Sequence, residues 1–161
     1  MSDQDYWIRS IRCGVGSSHR IFEDSRAIQQ AVFVEEQGID PDDVFEHEHE
    51  GIHFVLYLKV DDQFIAVACA RVMGSKLLHP IKIGRVATLK QHRHNKYARR
   101  LLEHIIDEQG QRYEPPYFYL NSQVDARGLY ESLQFRPKGE MFNEAGIRHI
   151  RMELPWPTEA A

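Results

Sequence analysis

A chain of 161 residues is long enough to bury one hydrophobic core, and we expect a single domain over residues 1–161 with a short tail at 155–161. Its composition, 42% hydrophobic and 27% charged, is ordinary for a folded protein, and its net charge of −4 argues against a general nucleic-acid binder. The two cysteines show no metal-ligand spacing, no signal-peptide pattern opens the chain, and the apolar runs are too short to span a bilayer. We therefore expect free thiols, a cytoplasmic protein and no membrane partner.

The first half of the chain is predicted to be rich in strands. Its patterns predict, in order, a strand at 6–13, a helix at 18–37 that Ser17 or Ser18 caps and Gly38 ends, an acidic loop at 39–50, and a hairpin of strands at 52–60 and 64–73. The acidic loop has too few apolar residues to form core, so it is predicted to lie on the surface.

In the second half, strands alternate with helices. The predicted order is a strand at 81–89, an amphipathic helix at 97–109, a short buried strand at 117–121, a helix at 124–133 and a last strand at 148–154. Strands that dominate one half and alternate with helices in the other indicate a mixed sheet with helices on its faces. The chain is therefore predicted to be an α/β protein of the α+β kind.

The helix at 97–109 begins where positive charge is concentrated. Its start is basic and its end is acidic, with Arg93, His94, Lys96, Arg99 and Arg100 against Asp107 and Glu108. A helix N-terminus already carries partial positive charge, so basic residues there cost stability unless an anion binds. The segment is predicted to bind an anion such as a phosphate. A solvated basic face is the alternative, and RNA binding is disfavoured because 117–121 has the pattern of a buried strand.

Three motifs resemble those of the GNAT superfamily of acyl-CoA-dependent N-acyltransferases, most closely its small bacterial ElaA-like branch. They are Arg93-His94-Asn95-Lys96-Tyr97-Ala98, then Gln123, Ala126, Tyr130 and Phe135, and finally the stretch from Gly139 to His149. The resemblance covers nearly the whole chain, from residue 32 to residue 154. It implies a mixed, mostly antiparallel sheet of six to seven strands, helices on both faces, and a splay between strands four and five.

The first motif differs from the superfamily's pyrophosphate loop at two glycines. His94 and Lys96 stand where glycine is usual, and glycine lets a backbone adopt positive φ at no steric cost. Asn95 tolerates positive φ better than most residues and Lys96 adds charge, so we expect partial compensation. The resemblance thus implies acetyl-CoA binding with an affinity that these two substitutions affect.

The resemblance also implies an activity, the transfer of an acetyl group from acetyl-CoA to a primary amine on a small molecule or a lysine. We expect direct transfer in a ternary complex, because neither cysteine lies in a recognisable nucleophile motif. The cofactor-binding residues that it implies are Val86, Ala87, Thr88, Arg93, His94, Asn95, Lys96, Tyr97, Ala98, Arg99, Gln123 and Tyr130. Backbone N–H groups at 86–88 would stabilise the oxyanion, and Tyr130 would protonate the leaving thiolate. A protein that keeps acyl-CoA binding but has lost catalysis is the alternative, and a homodimer is compatible with either.

The general base is left open among several residues. Suitable chemistry is offered by Glu46, Glu48, Glu50, His53 and Glu144, and a water relay could serve instead. The acidic loop would attract a cationic amine. His149, between apolar residues near the last strand, is predicted to be a structural, hydrogen-bonded histidine.

Residues 49–53 match the HExxH signature of zinc proteases letter by letter. That motif binds zinc only on a helix, where His49 and His53 would lie one turn apart. Gly51 disfavours a helix, and the residues that follow have a strand pattern in which the two histidines would lie roughly 13 Å apart. We therefore predict no metal site.

Overall fold

The computed structural model describes residues 5–14, 19–74, 80–110 and 117–154. Its strands are β1 (Tyr6–Arg12), β2 (Ile52–Val60), β3 (Gln63–Met73), β4 (Ile81–Thr88), β5 (Phe118–Gln123), β6 (Arg136–Pro137), β7 (Phe142–Glu144) and β8 (Ile147–Leu154). They form one sheet in the order β1-β2-β3-β4-β5-β8-β6, and β7 pairs with β8 beside this path. Paired strands are antiparallel except β4 and β5, which are parallel.

This architecture confirms the predicted fold class, a mixed and mostly antiparallel sheet. Every predicted strand is present, although β5 ends at Gln123 rather than at residue 121. The sheet has 8 strands rather than the predicted six to seven. The surplus comes from β6 and β7, which are only 2 and 3 residues long and therefore too short to carry a periodic pattern.

The helices of the described residues are α1 (Arg20–Gln29), α2 (Pro41–Val44), α3 (Tyr97–Gly110) and α4 (Arg127–Ser132). Helix α1 continues directly into a π-helix, Gln30–Glu36, so the helix predicted at 18–37 is present with two hydrogen-bond patterns. His19 caps α1 by accepting from the N–H of Ile21 at 3.1 Å, and the predicted caps Ser17 and Ser18 lie outside the described residues. None of these described helices is long and apolar enough to cross a membrane.

Strand β2 is buried on both sides because its alternate side chains enter two different layers. Phe54 and Leu56 pack with Leu101 of α3, whereas Val55 packs with Ile28 of α1. The strand is consequently apolar along most of its length instead of alternating. Helices therefore cover both faces of the sheet, as predicted.

The acidic segment at 39–50 departs from its prediction as a plain surface loop. It contains the single turn α2, which Asp40 caps by accepting from the N–H of Asp42 at 2.9 Å. Val44 at the end of this turn is only 3% exposed and belongs to the hydrophobic core beneath α1. One apolar residue thus anchors an otherwise polar segment to the sheet.

Strands β4 and β5 separate soon after they meet. In the described residues, Ile81 and Lys82 are the β4 positions that pair with β5. On the other side of β4, Arg85 and Val86 both lie opposite Ala70 of β3, which makes a β-bulge, and Arg85 has a φ of 51°. Because a bulged strand bends, β4 turns away from β5 and a cleft opens between them.

Candidate active site

The cleft between β4 and β5 opens into a cavity of about 850 Å³, a volume typical of small-molecule sites. Its wall comes from the π-helix, α2, β4, the start of α3, β5, α4 and the β7–β8 turn. Of the residues predicted to bind the cofactor, all except Asn95 lie on the described wall. Of the base candidates, Glu46 and Glu144 lie there. Segments distant in sequence therefore meet around one cavity.

The predicted anion-binding loop has a glycine-like backbone without glycine. His94 and Lys96 have φ values of 67° and 64°, the left-handed conformation that glycine would adopt freely. This conformation costs an ordinary residue roughly 1–2 kcal/mol. Contrary to expectation, Asn95 is not left-handed, and its side-chain amide donates instead to the carbonyls of His92 and Arg93, each at 3.1 Å. These two bonds help to hold the loop in its shape.

The first turn of α3 lies on the cavity wall. The N–H of Arg100 donates to the carbonyl of Lys96 at 3.0 Å, so the N–H groups of residues 97–99 have no partner within the helix. Among these described residues, no acidic side chain lies in the first turn. Backbone donors, the dipole of a 14-residue helix and the Lys96 side chain give this part of the cavity a positive potential. We call residues 93–99 the basic end.

Two of the predicted cationic residues, Arg93 and Arg99, form ion pairs with carboxylates of the protein. The guanidinium of Arg93 donates to both carboxylate oxygens of Glu36, at 2.6 and 2.7 Å, and its Nε donates to the carbonyl of Thr88 at 3.0 Å. The hydrogen bond from Arg93 lowers the pKa of Glu36. Arg99 pairs with Glu103 at 2.9 Å. Arg93 therefore ties the π-helix to the end of β4 in addition to carrying charge.

The middle of the cavity is lined by β4, β5 and α4. Gln123 at the end of β5 donates from Nε2 to Oε1 of Gln37 at 2.8 Å, which links two of the cavity walls. Tyr130 of α4 is 6% exposed and packs edge-on against Phe135, with ring centroids 6.1 Å apart. Burial raises the pKa of Tyr130, so its hydroxyl keeps its proton at neutral pH.

Another part of the cavity wall is acidic. Asp43, Glu46 and Glu144 lie on its wall together with Arg85 and His149, and we call these five residues the acidic end. The Arg85 side chain donates to two backbone carbonyls at the end of α2, both at 2.9 Å, and so ties the β4 bulge to α2. Burial lowers the pKa of Arg85, and the three nearby carboxylates oppose that shift. The carboxylates outnumber the guanidinium, so this end attracts cations.

Three of the base candidates lie away from the wall that the described residues form. His53 in β2 is 1% exposed, with Nδ1 3.2 Å from Oγ of Ser25 and Nε2 2.8 Å from the carbonyl of Glu48. Burial lowers the pKa of His53. The Glu48 carboxylate pairs with Arg26 at 3.0 Å, and Glu50 pairs with a neighbouring histidine at 3.4 Å. These side chains hold the turn before β2, outside the cavity.

The HExxH letters fall in that turn and in β2 rather than on a helix, as predicted. Gly51 has a φ of 80°, and a Cβ there would collide with the carbonyl oxygen of Val72. The His49 ring stacks on Phe22, with centroids 5.0 Å apart. Among the described residues, no group of three or more His, Cys, Asp or Glu is placed to hold a metal ion.

Both the sequence and the fold of this chain match those of known proteins. The sequence profile described as an acetyltransferase (GNAT) domain matches residues 23–155 of the chain. The chain belongs to the GNAT family. Protein ElaA of Escherichia coli strain K12 is 32% identical over 124 residues, which cover 76% of this chain and 79% of ElaA. The crystal structure of E. coli ElaA matches with a TM-score of 0.74 at 25% identity, covering 92% of this chain and 99% of that one.

Two further relatives of this GNAT chain carry provisional acetyltransferase names. One, from Bacillus subtilis strain 168, is 36% identical over 140 residues, which cover 83% of this chain and 86% of the relative. The other, named as an N-acetyltransferase of Lactobacillus plantarum, has a crystal structure that matches with a TM-score of 0.78 at 26% identity, covering 92% and 96% of the two chains. The resemblance to the ElaA-like branch of the GNAT family is therefore confirmed.

Some residues of this GNAT cavity were not singled out by the sequence. Gln37 and Arg85 lie on the wall, and Glu36 holds Arg93 from outside it. Glu36 and Gln37 carry no local signal, because their partners are 57 and 86 residues away in the chain. Arg85 did carry one, since a glycine inside an apolar strand, here Gly84, suggests a bulge.

Proposed function

We propose that this GNAT protein transfers an acetyl group from acetyl-CoA to a primary amine, with both substrates bound in the one cavity. One observation supports this above the others: the cavity of about 850 Å³ is lined at once by the basic end, by Tyr130 and by the acidic end. An anionic donor and a cationic acceptor are drawn to different parts of the same space. The acceptor is accordingly an amine with positive charge, on a small molecule or on a lysine.

The residues of the basic end fit the phosphate groups of coenzyme A. The free N–H groups of residues 97–99 and the left-handed turns at His94 and Lys96 make a concave surface of backbone donors. Lys96 adds a side-chain charge on the same wall. Gln123 and the β4 edge offer polar groups to the amides of the pantetheine arm.

Bound acetyl-CoA supplies an activated acyl carbonyl and a thiol leaving group. In the described residues, β4 beyond Lys82 has no β5 partner, so those N–H groups at 86–88 that point away from β3 are available to stabilise negative charge on an acyl oxygen. Tyr130 lies on the same wall and, because burial raises its pKa, holds a proton that it can donate to the leaving sulfur.

Direct transfer between the two substrates is supported by the positions of the cysteines. Cys69 is fully buried in the core, and burial raises its pKa to about 12, so it has no nucleophilic thiolate at neutral pH. Cys13 is in the loop after β1, and neither cysteine is among the described residues of the cavity wall. An acyl-cysteine intermediate is therefore not part of the proposal.

The second candidate function is acyl-CoA binding without catalysis. Two contacts favour this second candidate. Arg93 is bound to Glu36 and Gln123 is bound to Gln37, so these two cavity side chains are less available to a ligand. The carboxylates and Tyr130 on the wall favour the enzyme instead, since binding alone requires neither.

Two measurements test the proposal and separate it from the second candidate. Calorimetry with acetyl-CoA reports binding, and release of free thiol reports turnover with a panel of diamines, aminoglycosides and lysine peptides. We expect both binding and amine-dependent thiol release. Binding without thiol release from any amine would support the second candidate, and absence of binding would overturn both.

A further inference from the structure

His149, in the acidic end, is a buried histidine that also lines the cavity. It lies in β8 directly opposite Gln123 of β5, is 7% exposed, and lines the same cavity as Tyr130. The ring of Phe142 stacks on it, with centroids 6.0 Å apart and planes at 24°. The imidazole is therefore fixed in orientation and shielded from bulk water, yet it borders the space where the acceptor would bind.

The hydrogen bond on one side of the ring determines its tautomer. Nδ1 lies 2.7 Å from the carbonyl oxygen of Ile147, and a carbonyl can only accept. Nδ1 must therefore carry a proton, and in the neutral ring Nε2 is left with a free lone pair. A neutral imidazole in this state can accept a proton at Nε2 without rotating.

A carboxylate stands beside that nitrogen. Oε2 of Glu144 is 3.6 Å from Nε2 of His149, and Glu144 is half exposed on the cavity wall. The turn between β7 and β8 fixes this distance, because Ala145 and Gly146 are both left-handed, with φ values of 51° and 78°, and join Glu144 to Ile147 across a tight hairpin. The negative charge stabilises an imidazolium once Nε2 is protonated.

We propose that Nε2 of His149 is the proton acceptor for the amine, with Glu144 as its stabilising partner. The inference rests on the proposed function and adds its general base. An acceptor ammonium gives a proton to Nε2 and becomes a neutral amine, whose lone pair forms the new C–N bond as the C–S bond breaks. The thiolate takes the proton of Tyr130, the new amide nitrogen loses its excess proton, which by way of solvent restores the Tyr130 phenol, and the proton on His149 is returned to solvent. Charge and atoms balance without a further reactant.

The chemistry of the other groups on the wall favours the same assignment. The two remaining histidines of the described wall, His92 and His94, flank or lie within the basic end, away from a cationic acceptor. Carboxylates ordinarily titrate near pH 4 and imidazole near pH 6.5, so imidazole is the better matched base at neutral pH. Asp43 and Glu46 are then left to attract the acceptor.

The test substitutes His149 with asparagine, whose side-chain amide can still donate to the Ile147 carbonyl but has no basic nitrogen. We expect kcat/KM for the amine to fall by about a hundredfold or more at neutral pH, while acetyl-CoA affinity changes less than about twofold. The matched control is His104→Asn. His104 is also a histidine beside a carboxylate, 3.0 Å from Glu108, but it lies on α3 outside the described cavity wall, and we expect unchanged turnover.

Two readouts distinguish a base from a structural histidine. The wild-type rate should fall on the acid side as the imidazole becomes protonated, and His149→Asn should lose that limb of the pH profile. Glu144→Gln should slow turnover roughly five- to tenfold, because the imidazolium would lose the negative charge beside it. Glu144 from β7 is the charged group beside the ring, and Arg85 from β4 and Asp43 and Glu46 at α2 are the other charged groups of the acidic end.

Ring ¹⁵N chemical shifts of the free protein supply a readout that does not depend on activity. Above neutral pH they should show His149 with its proton on Nδ1 and none on Nε2. A proton on Nε2, or an unchanged acid limb and rate in His149→Asn, would overturn the inference and leave the proposed function intact. Wild-type protein that turns over no amine would overturn the proposed function itself, and this base with it.

Discussion

The two ends of the cavity differ in how far apart their residues lie in the chain. The basic end is one continuous segment, residues 93–99, between β4 and the first turn of α3. The acidic end is assembled from four places, with Asp43 and Glu46 at α2, Arg85 in β4, Glu144 in β7 and His149 in β8. A local charge pattern is visible in a sequence, whereas a cluster that forms only on folding is not. Substitutions that disable one end and spare the other test this division.

The largest effect is expected at Tyr130, which belongs to neither end. Tyr130→Phe should lower kcat by about 10²- to 10⁴-fold at neutral pH and leave binding at both ends intact, because it removes only the donated proton. Since burial raises the pKa of Tyr130 above the ordinary 10.0, the phenol stays protonated in mildly alkaline solution and should cause no loss of rate there. Steady-state thiol release from pH 6 to 10 measures both effects.

The control is Tyr57→Phe, which removes a hydroxyl that donates to Asp24 at 2.6 Å outside the described cavity wall. Its kcat should stay near that of the wild type. A Tyr130→Phe protein that works within a few-fold of wild type would show that another group protonates the sulfur.

The fold was predictable where the sequence carries a period. Helix α3 and strands β2 and β3 have long apolar patterns, and their bounds agree with the sequence within one residue. Strands β6 and β7 were missed because 2 and 3 residues are too few for an alternating pattern to be recognised. Val44 was missed because a single buried residue in an acidic segment is decided by tertiary packing, which local composition does not record.

The sequence also predicted some parts of the site better than others. Residues 93–98 were found by their charge and by the resemblance, although the structure gives the positive φ to His94 and Lys96 and not to Asn95. Among the candidate bases, Glu48 and Glu144 looked equivalent in sequence. They differ only because the chain folds Glu48 onto Arg26 and Glu144 onto the cavity wall. Carboxylates within two loops cannot be ranked until the partner of each is known.

Substitution of Arg85 should weaken acceptor binding at the acidic end without affecting acetyl-CoA binding at the basic end. Arg85→Ala removes two charged hydrogen bonds to the α2 backbone but keeps a Cβ at the left-handed position, so backbone strain is unchanged. We expect the acceptor KM to rise about tenfold and the melting temperature to fall by about 5 °C, with the acetyl-CoA dissociation constant unaltered. Calorimetry, kinetics and thermal denaturation of one preparation measure all three.

Arg136→Ala is the matched control, since Arg136 is exposed in β6 and outside the described wall. It should change none of the three quantities. If Arg85→Ala weakened acetyl-CoA binding as much as acceptor binding, the two ends would not be independent.

The basic end has its own test in a pair of lysines. Lys96 is left-handed, with a φ of 64°, whereas Lys90 lies in a short 3₁₀ turn of the same connection. Lys96→Gly relieves strain and should leave the melting temperature unchanged or higher, while Lys90→Gly should lower it by about 2–3 °C. Lys96→Gly should also weaken acetyl-CoA binding about fivefold at low salt, less at high salt, because it removes charge. Equal melting temperatures for the two variants would contradict the strained loop.

The smallest effect is expected for substitution of Glu36. The same substitution tests whether Arg93 binds the ligand or holds the end of β4. Both partners are about one-third exposed, so the pair should contribute no more than about 1 kcal/mol, and Glu36→Gln should lower the melting temperature by about 2 °C at pH 7. Arg93 lowers the pKa of Glu36 below its ordinary 4.5, so the contribution is present above that pH and disappears as the pH falls through the lowered value. The two melting curves should therefore converge in acid.

Acetyl-CoA affinity of the same variant separates two roles for the guanidinium. The Nε of Arg93 still donates to the Thr88 carbonyl in Glu36→Gln, so an arginine whose role is to hold the end of β4 would leave the affinity within about twofold of wild type. A clear gain in affinity would mean instead that Glu36 competes with the phosphates for Arg93. In that case the basic end, like the acidic end, would depend on a residue that only folding brings to it.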